Sequence, residues 1–557
     1  MLLKRAVVLA VTMVALPNAL AQTVQKPGLQ LPSTAAANKQ LIVKMFTSAF
    51  DAYTKFAFGH DDLQPVSETF NDELNGFGAS IVDAMDTALI MGLDDIFNTA
   101  LNFSSQISFA HSPITANSVS VFENTIRFVG GFLSAFELSG NQHTILVEKA
   151  KELADQLAFA WVGDNDIPFG HLDFSTTPPT PLIATSNIAE AGSLDLEWFT
   201  LSKFTGNDTY RNLTEKSVRH MIALPDPLPG LPGQCIDPST GESDCAYVTW
   251  GGGSDSYFEY LVKYQRLTGM ADQTFINTWR TAVDSSIKTL RKVSTVGDHV
   301  YLADFDDDGL IRHIGSHLAC FHGGNWLLGG KLLNNNTIVD VALDLVDACW
   351  NTYQSTATGI GPETFAWISS DGNFTGGDAP AASDLQFYKE HGFYIFNGGS
   401  DYILRPEVLE SNFYAWRVTG DIKYQQRAAA AAQSFQKFLT INGGFSGLNN
   451  VDSTATDADA RIDDQESFFF AEVMKYLFLT FDDPEHISLD NFVFNTEAHP
   501  FPVGPVQPGF GSQPLTTVEK PKFTATATGA IPAISSNPSL PKQIEPLIHG
   551  LFGRLRL

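Results

Sequence analysis

The chain has 557 residues, 44% hydrophobic and 11% aromatic, with 34 Lys and Arg against 62 Asp and Glu and a formal net charge of −28. Such a length suits roughly two to four domains or one large barrel, and the apolar content excludes a disordered or fibrous polymer. The acidic balance opposes nucleic acid and anionic membranes, and four cysteines without a CxxC pair exclude zinc fingers and a disulfide-built scaffold.

The chain opens like a secretory signal. Lys4 and Arg5 precede an apolar run over residues 6–16 that is short for a membrane span, and Ala19-Leu20-Ala21 is a small-x-small cleavage site. This reading gives a signal peptide over 1–21 and an N-terminal linker over 22–38; an uncleaved anchor is the alternative. Sequons at Asn102, Asn207, Asn212, Asn335 and Asn373 fit passage through the secretory pathway, ending outside the cell or in the Golgi or vesicle lumen. In that oxidising route Cys320 and Cys349 are placed to staple two helices, and Cys235 and Cys245 to close a Pro/Gly/Asp loop. Free buried thiols are the alternative for both.

Residues 39–503 read as one helical body. Apolar residues recur at three- and four-residue spacing over 41–58, 121–138, 255–267 and 466–481, the last carrying a stripe of Phe469, Val473, Tyr476 and Leu477. Alternating strands are few and no composition break divides the body, so paired helices around one core, an all-α α/α barrel, are expected. Acids recur where helices meet Gly- or Pro-bearing turns, at Glu123, Asp255, Glu363, Glu407 and Glu497. Any one is explained as a helix cap. As a set they suit general acid/base work on a neutral polyol, which offers no charge to grip.

Two motifs are set aside. Asp304-Phe305-Asp306-Asp307-Asp308-Gly309 opens like an EF-hand loop, but its twelfth position is Gly315, where a bidentate Glu is required. Gly251-Gly252-Gly253 lacks the Lys-Ser/Thr of a phosphate cradle. Beyond the body, residues 504–557 form a low-complexity tail, rich in Pro, Ser, Thr and Gly.

The blocks His60-Asp61-Asp62-Leu63, Val82-Asp83-Ala84-Met85-Asp86-Thr87, Val121-Phe122-Glu123-Asn124-Thr125-Ile126-Arg127 and Asp255-Ser256-Tyr257-Phe258-Glu259 occur in chain order. His317-Leu318-Ala319-Cys320-Phe321, Leu404-Arg405-Pro406-Glu407, Gln465-Glu466-Ser467-Phe468 and Phe494-Asn495-Thr496-Glu497-Ala498-His499-Pro500 complete the series. Together they resemble the class I α-mannosidases, glycoside hydrolase family 47, with the pattern of secreted or luminal fungal members. Departures are mild: Phe77 replaces a common Trp and Gln465 a frequent Met.

The resemblance implies an (α/α)7 barrel, bound Ca2+, and hydrolysis of α-1,2-linked mannose from high-mannose N-glycans with inversion. It makes Glu123 the general acid and Glu407 the leading base, with Asp255 and Glu363 as further catalytic carboxylates, and pairs Cys320 with Cys349. Inversion needs acid and base on opposite faces of the sugar, roughly 6.5–9.5 Å apart, with the acid protonated and the base ionised. Thr496 is the expected metal ligand, through its carbonyl and hydroxyl oxygens, with Glu466, Glu472 and Glu497 orienting coordinated waters. Substrate contacts are expected from Arg127, Glu190, Glu259, His317, Arg405, Glu410, Phe468, Glu472 and Glu497, with Glu197 as a weaker candidate. Core packing is the alternative for Phe468, and a structural role for His317. The expected product is a monomeric enzyme with glycan partners and no membrane anchor. A mannosidase-like lectin that binds without turnover is the second reading, and an α/α-barrel glycosidase of other specificity the third.

Overall fold

Helices buried nearly all round alternate along the chain with helices buried on one stripe, which sorts them into an inner and an outer layer. The computed structural model describes residues 23–113, 118–182, 186–396, 398–507, 509–511 and 520; the stretch read as a signal peptide and most of that read as a tail lie outside the described residues. The inner layer holds seven helices, Ala79–Met91, Gly130–Leu138, Asp195–Thr205, Asp255–Thr268, His322–Leu332, Glu407–Thr419 and Met474–Phe481. The outer layer holds seven more, Ala35–Phe56, Asp94–Ser104, Thr144–Leu157, Thr209–Ala223, Thr274–Thr289, Asn336–Gln354 and Ile422–Phe438. Ala79–Met91 buries every residue but Leu89 and Met91, whereas Asn336–Gln354 buries the stripe Ile338, Val341, Ala342, Leu345 and Val346.

Each inner helix packs on the next, and Met474–Phe481 closes the ring against Ala79–Met91. The expected (α/α)7 barrel is the fold. Six inner helices pass to their outer partners through turns of two to five residues, which makes neighbours antiparallel and the inner helices mutually parallel. Gly92, Gly206, Gly269 and Gly420 stop four of them in the left-handed conformation that a side chain resists. The longer returns therefore gather at the opposite end, with the N-termini of the inner helices.

Among the described residues those returns carry eighteen strands of two or three residues, in antiparallel pairs and triplets, and two more follow the last inner helix. The sequence reading expected few strands, because a period of two leaves no trace in so short a segment. One hairpin, Phe492–Phe494 with Pro500–Pro502, packs between inner helices Gly130–Leu138 and Asp255–Thr268, burying Val493, Phe494 and Phe501.

The sequence boundaries need correction at both ends of the body. The stretch read as a linker is packed: Val24 and Gln25 are buried, the Val24 N–H donates to Asp490 Oδ1 at 2.6 Å, and Arg417 donates to Gln25 Oε1 at 2.8 Å. The first helix begins at Ala35 rather than 39. Beyond the expected boundary at 503, Phe510 is still buried and the Gly511 N–H donates to Gln273 Oε1 at 2.6 Å.

Both cysteine pairs are bonded, Cys320 with Cys349 and Cys235 with Cys245, at Cα separations of 5.9 and 5.4 Å. Asn102, Asn207, Asn212 and Asn373 are exposed. Asn335 is half-buried, its side chain accepting from the N–H groups of Thr337 and Ile338 as a helix cap. Among the described residues no helix is long and apolar enough to cross a membrane. The EF-hand-like stretch is a hairpin, Asp304–Phe305 with Ile311–Arg312, whose Asp306 accepts from the N–H groups of Asp308 and Leu310.

Candidate active site

The parallel N-termini explain why the acids collect where they do: each helix start favours a carboxylate, and one turn further on the same face is repeated. Glu123 is followed by Arg127, Asp255 by Glu259, Glu407 by Glu410 and Phe468 by Glu472. All eight line one cavity of about 310 Å³. Glu190, Arg405, Thr496 and Glu497 line it too. Two of the walls contain a π-helical turn, Asn124–Val129 and Phe469–Val473, a distortion that recurs at functional sites.

In the ring, the helix following Glu123 and the helix begun by Glu407 are separated by two inner helices one way and three the other. Glu123 and Glu407 thus face each other across the cavity.

Glu123 sits on a turn capped by Ser120, whose Oγ accepts the Glu123 N–H at 3.2 Å. Its Oε2 accepts from Nε and Nη2 of Arg127, both at 2.9 Å. Arg127 also donates to Glu497 at 2.6 Å and to Ser467 Oγ at 3.0 Å, and its guanidinium lies 5.5 Å from the Phe468 ring.

Glu407 is buried, which pushes its carboxyl up, yet a 2.7 Å hydrogen bond from His317 Nδ1 and the charges of His317 and Arg405 bring it below the ordinary value. It stays ionised in a place that disfavours charge. His317 is fixed in turn by the Tyr353 hydroxyl, 2.7 Å from Nε2. Arg405 donates to Glu363 at 2.7 Å and follows Leu404, whose φ of +68° is rare for a bulky side chain and marks strain in the loop. His317 and Glu363 do not line the cavity. The structure puts them behind its wall, where they hold Glu407 and Arg405.

Asp255 moves the other way. Burial, with the charges of Glu259 and Glu407, pushes its carboxyl up to about 7 against the pull of the Ser256 N–H and Arg405. Burial also lifts Glu190 to about 7, with the charge of Glu123 adding and the Asn187 amide opposing.

One turn deeper the carboxylates crowd. Glu472 is raised well above the ordinary value by burial and by the charges of Glu497, Glu407 and Glu410. Burial and Glu259 raise Glu410 although Lys263 opposes. The buried hairpin turn brings Thr496 to this layer. Its N–H donates to the Tyr260 hydroxyl at 3.2 Å, and Asn495 Nδ2 donates to Glu197 and to the Ile126 carbonyl at 2.7 and 2.9 Å. Behind them His499 lies 2.8 Å from Asp86, which pairs with Lys475 at 2.9 Å, and Lys475 donates to the Ala498 carbonyl at 2.7 Å. Glu197 holds this turn and does not line the cavity.

The donor set fits a hard cation: a Thr hydroxyl and carbonyl beside buried carboxylates. Among the described residues no three His, Cys, Asp or Glu side chains converge as direct ligands. Carboxylates acting through bound water are the arrangement these positions suit.

The sequence reading missed Glu73, His171 and Asn187, which also line the cavity. Asp62 lies there too, inside a block already singled out. His171 and Asn187 stand on two- and three-residue strands where no periodicity flags them.

Residues 45–503 match the family model for Glycosyl hydrolase family 47. The chain belongs to glycosyl hydrolase family 47. Among curated family members, mannosyl-oligosaccharide alpha-1,2-mannosidase 1B of Aspergillus phoenicis is 38% identical over 487 residues, 84% of this chain and 92% of that protein. Its namesake in Emericella nidulans is 38% identical over 502 residues, 87% and 95% of the two chains. The solved structure of the alpha-1,2-mannosidase from Trichoderma reesei matches with a TM-score of 0.80 at 37% identity, covering 86% of this chain and all of that one. The structure of D-mannose isomerase, 11% identical with a TM-score of 0.50, shares the fold alone. This family 47 chain is therefore a glycoside hydrolase, with its cavity at the open end of the barrel.

Proposed function

We propose that this family 47 enzyme is an inverting α-1,2-mannosidase that removes terminal mannose from high-mannose N-glycans, in the secretory pathway or outside the cell. The named relatives, similar over most of both chains, support the substrate class. One observation carries the mechanism: a buried Glu407 kept ionised by His317 and Arg405, facing Glu123 across a sugar-sized cavity.

Glu407 accepts a proton from water as its oxygen attacks the anomeric carbon. Glu123, on the opposite side, gives a proton to the departing oxygen, and the glycosidic bond breaks. The product is a β-sugar and an alcohol, with Glu407 protonated and Glu123 ionised until solvent resets them. Asp255, pushed up to about 7, keeps a proton at acidic pH beside these two. Phe468 offers a ring to the apolar face of the sugar, and Arg127 and Arg405 orient carboxylates and hydroxyls.

Thr496 would hold Ca2+ through its hydroxyl and carbonyl, with Glu472 and Glu497 orienting the waters around the metal. A cation bound there supplies a fixed charge that grips sugar hydroxyls. Glu472, crowded by the charges of Glu497, Glu407 and Glu410, supports this reading.

The test is incubation with a high-mannose N-glycan, read by mass. Successive losses of single hexoses are expected. Chelation is expected to stop them and to lower the melting temperature, with Ca2+ restoring both, since a ligand bound only by the folded state stabilises it. Binding without mass loss would favour a lectin, and full activity in metal-free protein would remove the metal from the account.

A further inference from the structure

One polar group in the cavity has no part in the chemistry above. His171 lines the cavity, and among the described residues no hydrogen-bond partner engages its ring. Its strand, His171–Asp173, pairs antiparallel with Ser118–Ser120 and sets His171 opposite Ser120. The next residue, Val121, donates its N–H to the Gly170 carbonyl at 2.9 Å, and Ser120 caps the turn of Glu123. The backbone before His171 is thus bonded directly to the turn that carries the acid. Gly170 also lies against Glu190: a Cβ there would stand 2.8 Å from Glu190 Oε2. The backbone that carries His171 is therefore held between the turn of Glu123 and Glu190, on the Glu123 side of the cavity.

Burial keeps the imidazole neutral, with its ordinary value lowered to about 4. A neutral imidazole presents one N–H donor and one bare acceptor nitrogen, the combination that a sugar hydroxyl, donor and acceptor at once, satisfies. Water enters from the Glu407 side, so the departing group leaves on the Glu123 side. We propose that His171 is a specificity residue that hydrogen-bonds the departing sugar, a role that rests on the mannosidase reading given above.

The test compares α-1,2-mannobiose, whose leaving group is a sugar, with α-mannosyl fluoride, whose leaving group is not. His171→Ala is expected to lose about tenfold in kcat/KM on mannobiose, the worth of one hydrogen bond, and to hydrolyse the fluoride at the wild-type rate. His171→Gln, which keeps a donor and an acceptor, is expected to recover part of the loss. Melting temperatures of both variants establish that they are folded. Equal losses on the two substrates by a His171→Gln protein that melts like the wild type would overturn the proposal, as would an undiminished rate of His171→Ala on mannobiose. A wild-type enzyme inert on both substrates would instead refute the mannosidase reading, and the role of His171 with it.

Discussion

On the proposed mechanism Glu407 and Glu123 carry opposite duties, and substitution separates them. Each Glu→Gln change should reduce kcat by roughly 10²–10⁴-fold. Fluoride departs without a proton, so α-mannosyl fluoride should partly rescue Glu123→Gln and leave Glu407→Gln inactive. Rescue of Asp255→Asn in place of Glu123→Gln would move the acid role to Asp255, the carboxyl pushed up to about 7. His317 tests the other half. It lowers the Glu407 carboxyl, so activity is present above that value and lost as pH falls through it. His317→Gln should move the acid limb of the kcat/KM profile to higher pH while the alkaline limb stays. An unmoved acid limb with reduced kcat would mean that His317 serves packing alone. Glu123 and Glu407 were legible in the sequence because each stands at a helix start in a distinctive block. What His317 and Glu363 do was not, because distance from the cavity is set by loops from three parts of the chain.

At the scale of elements, helices were legible where burial imposes a period. The stretch 121–138 was read as one helix, and it is one, with a π turn from Asn124 to Val129 that the period does not reveal. At 466–481 the helical turns begin only at Phe469, because the residues before them form the loop that brings Glu466 and Phe468 to the cavity. Strands of two or three residues carry no pattern of their own, so the hairpin that lifts Thr496 into the barrel was visible only as a motif. The disulfide between Cys320 and Cys349 ties the turn Leu318–Phe321, which continues directly from His317, to the outer helix Asn336–Gln354, and spans 29 residues. Cys320→Ala should lower stability by about 3 kcal/mol in denaturant titration. A peptide map of unreduced protein that finds both thiols free would contradict the link.

For the molecule as a whole, seven parallel inner helices turn a chain of strong negative charge into a focused site. Their N-termini tolerate carboxylates that would otherwise repel, and the barrel walls set the ionised Glu407 across from Glu123. The ring closes only because the last inner helix meets the first, and the N-terminal segment held by Arg417 is packed beside that closure. Composition announced a large core and periodicity its helices; neither held a record of closure, which depends on contacts between residues some 400 positions apart, such as Asp86 with His499. The central claim is that water and leaving group occupy opposite faces of one sugar. Proton NMR of the first product from α-1,2-mannobiose reads this directly. The account predicts β-mannose first, with α-mannose growing in by mutarotation; α-mannose as the first product would contradict it.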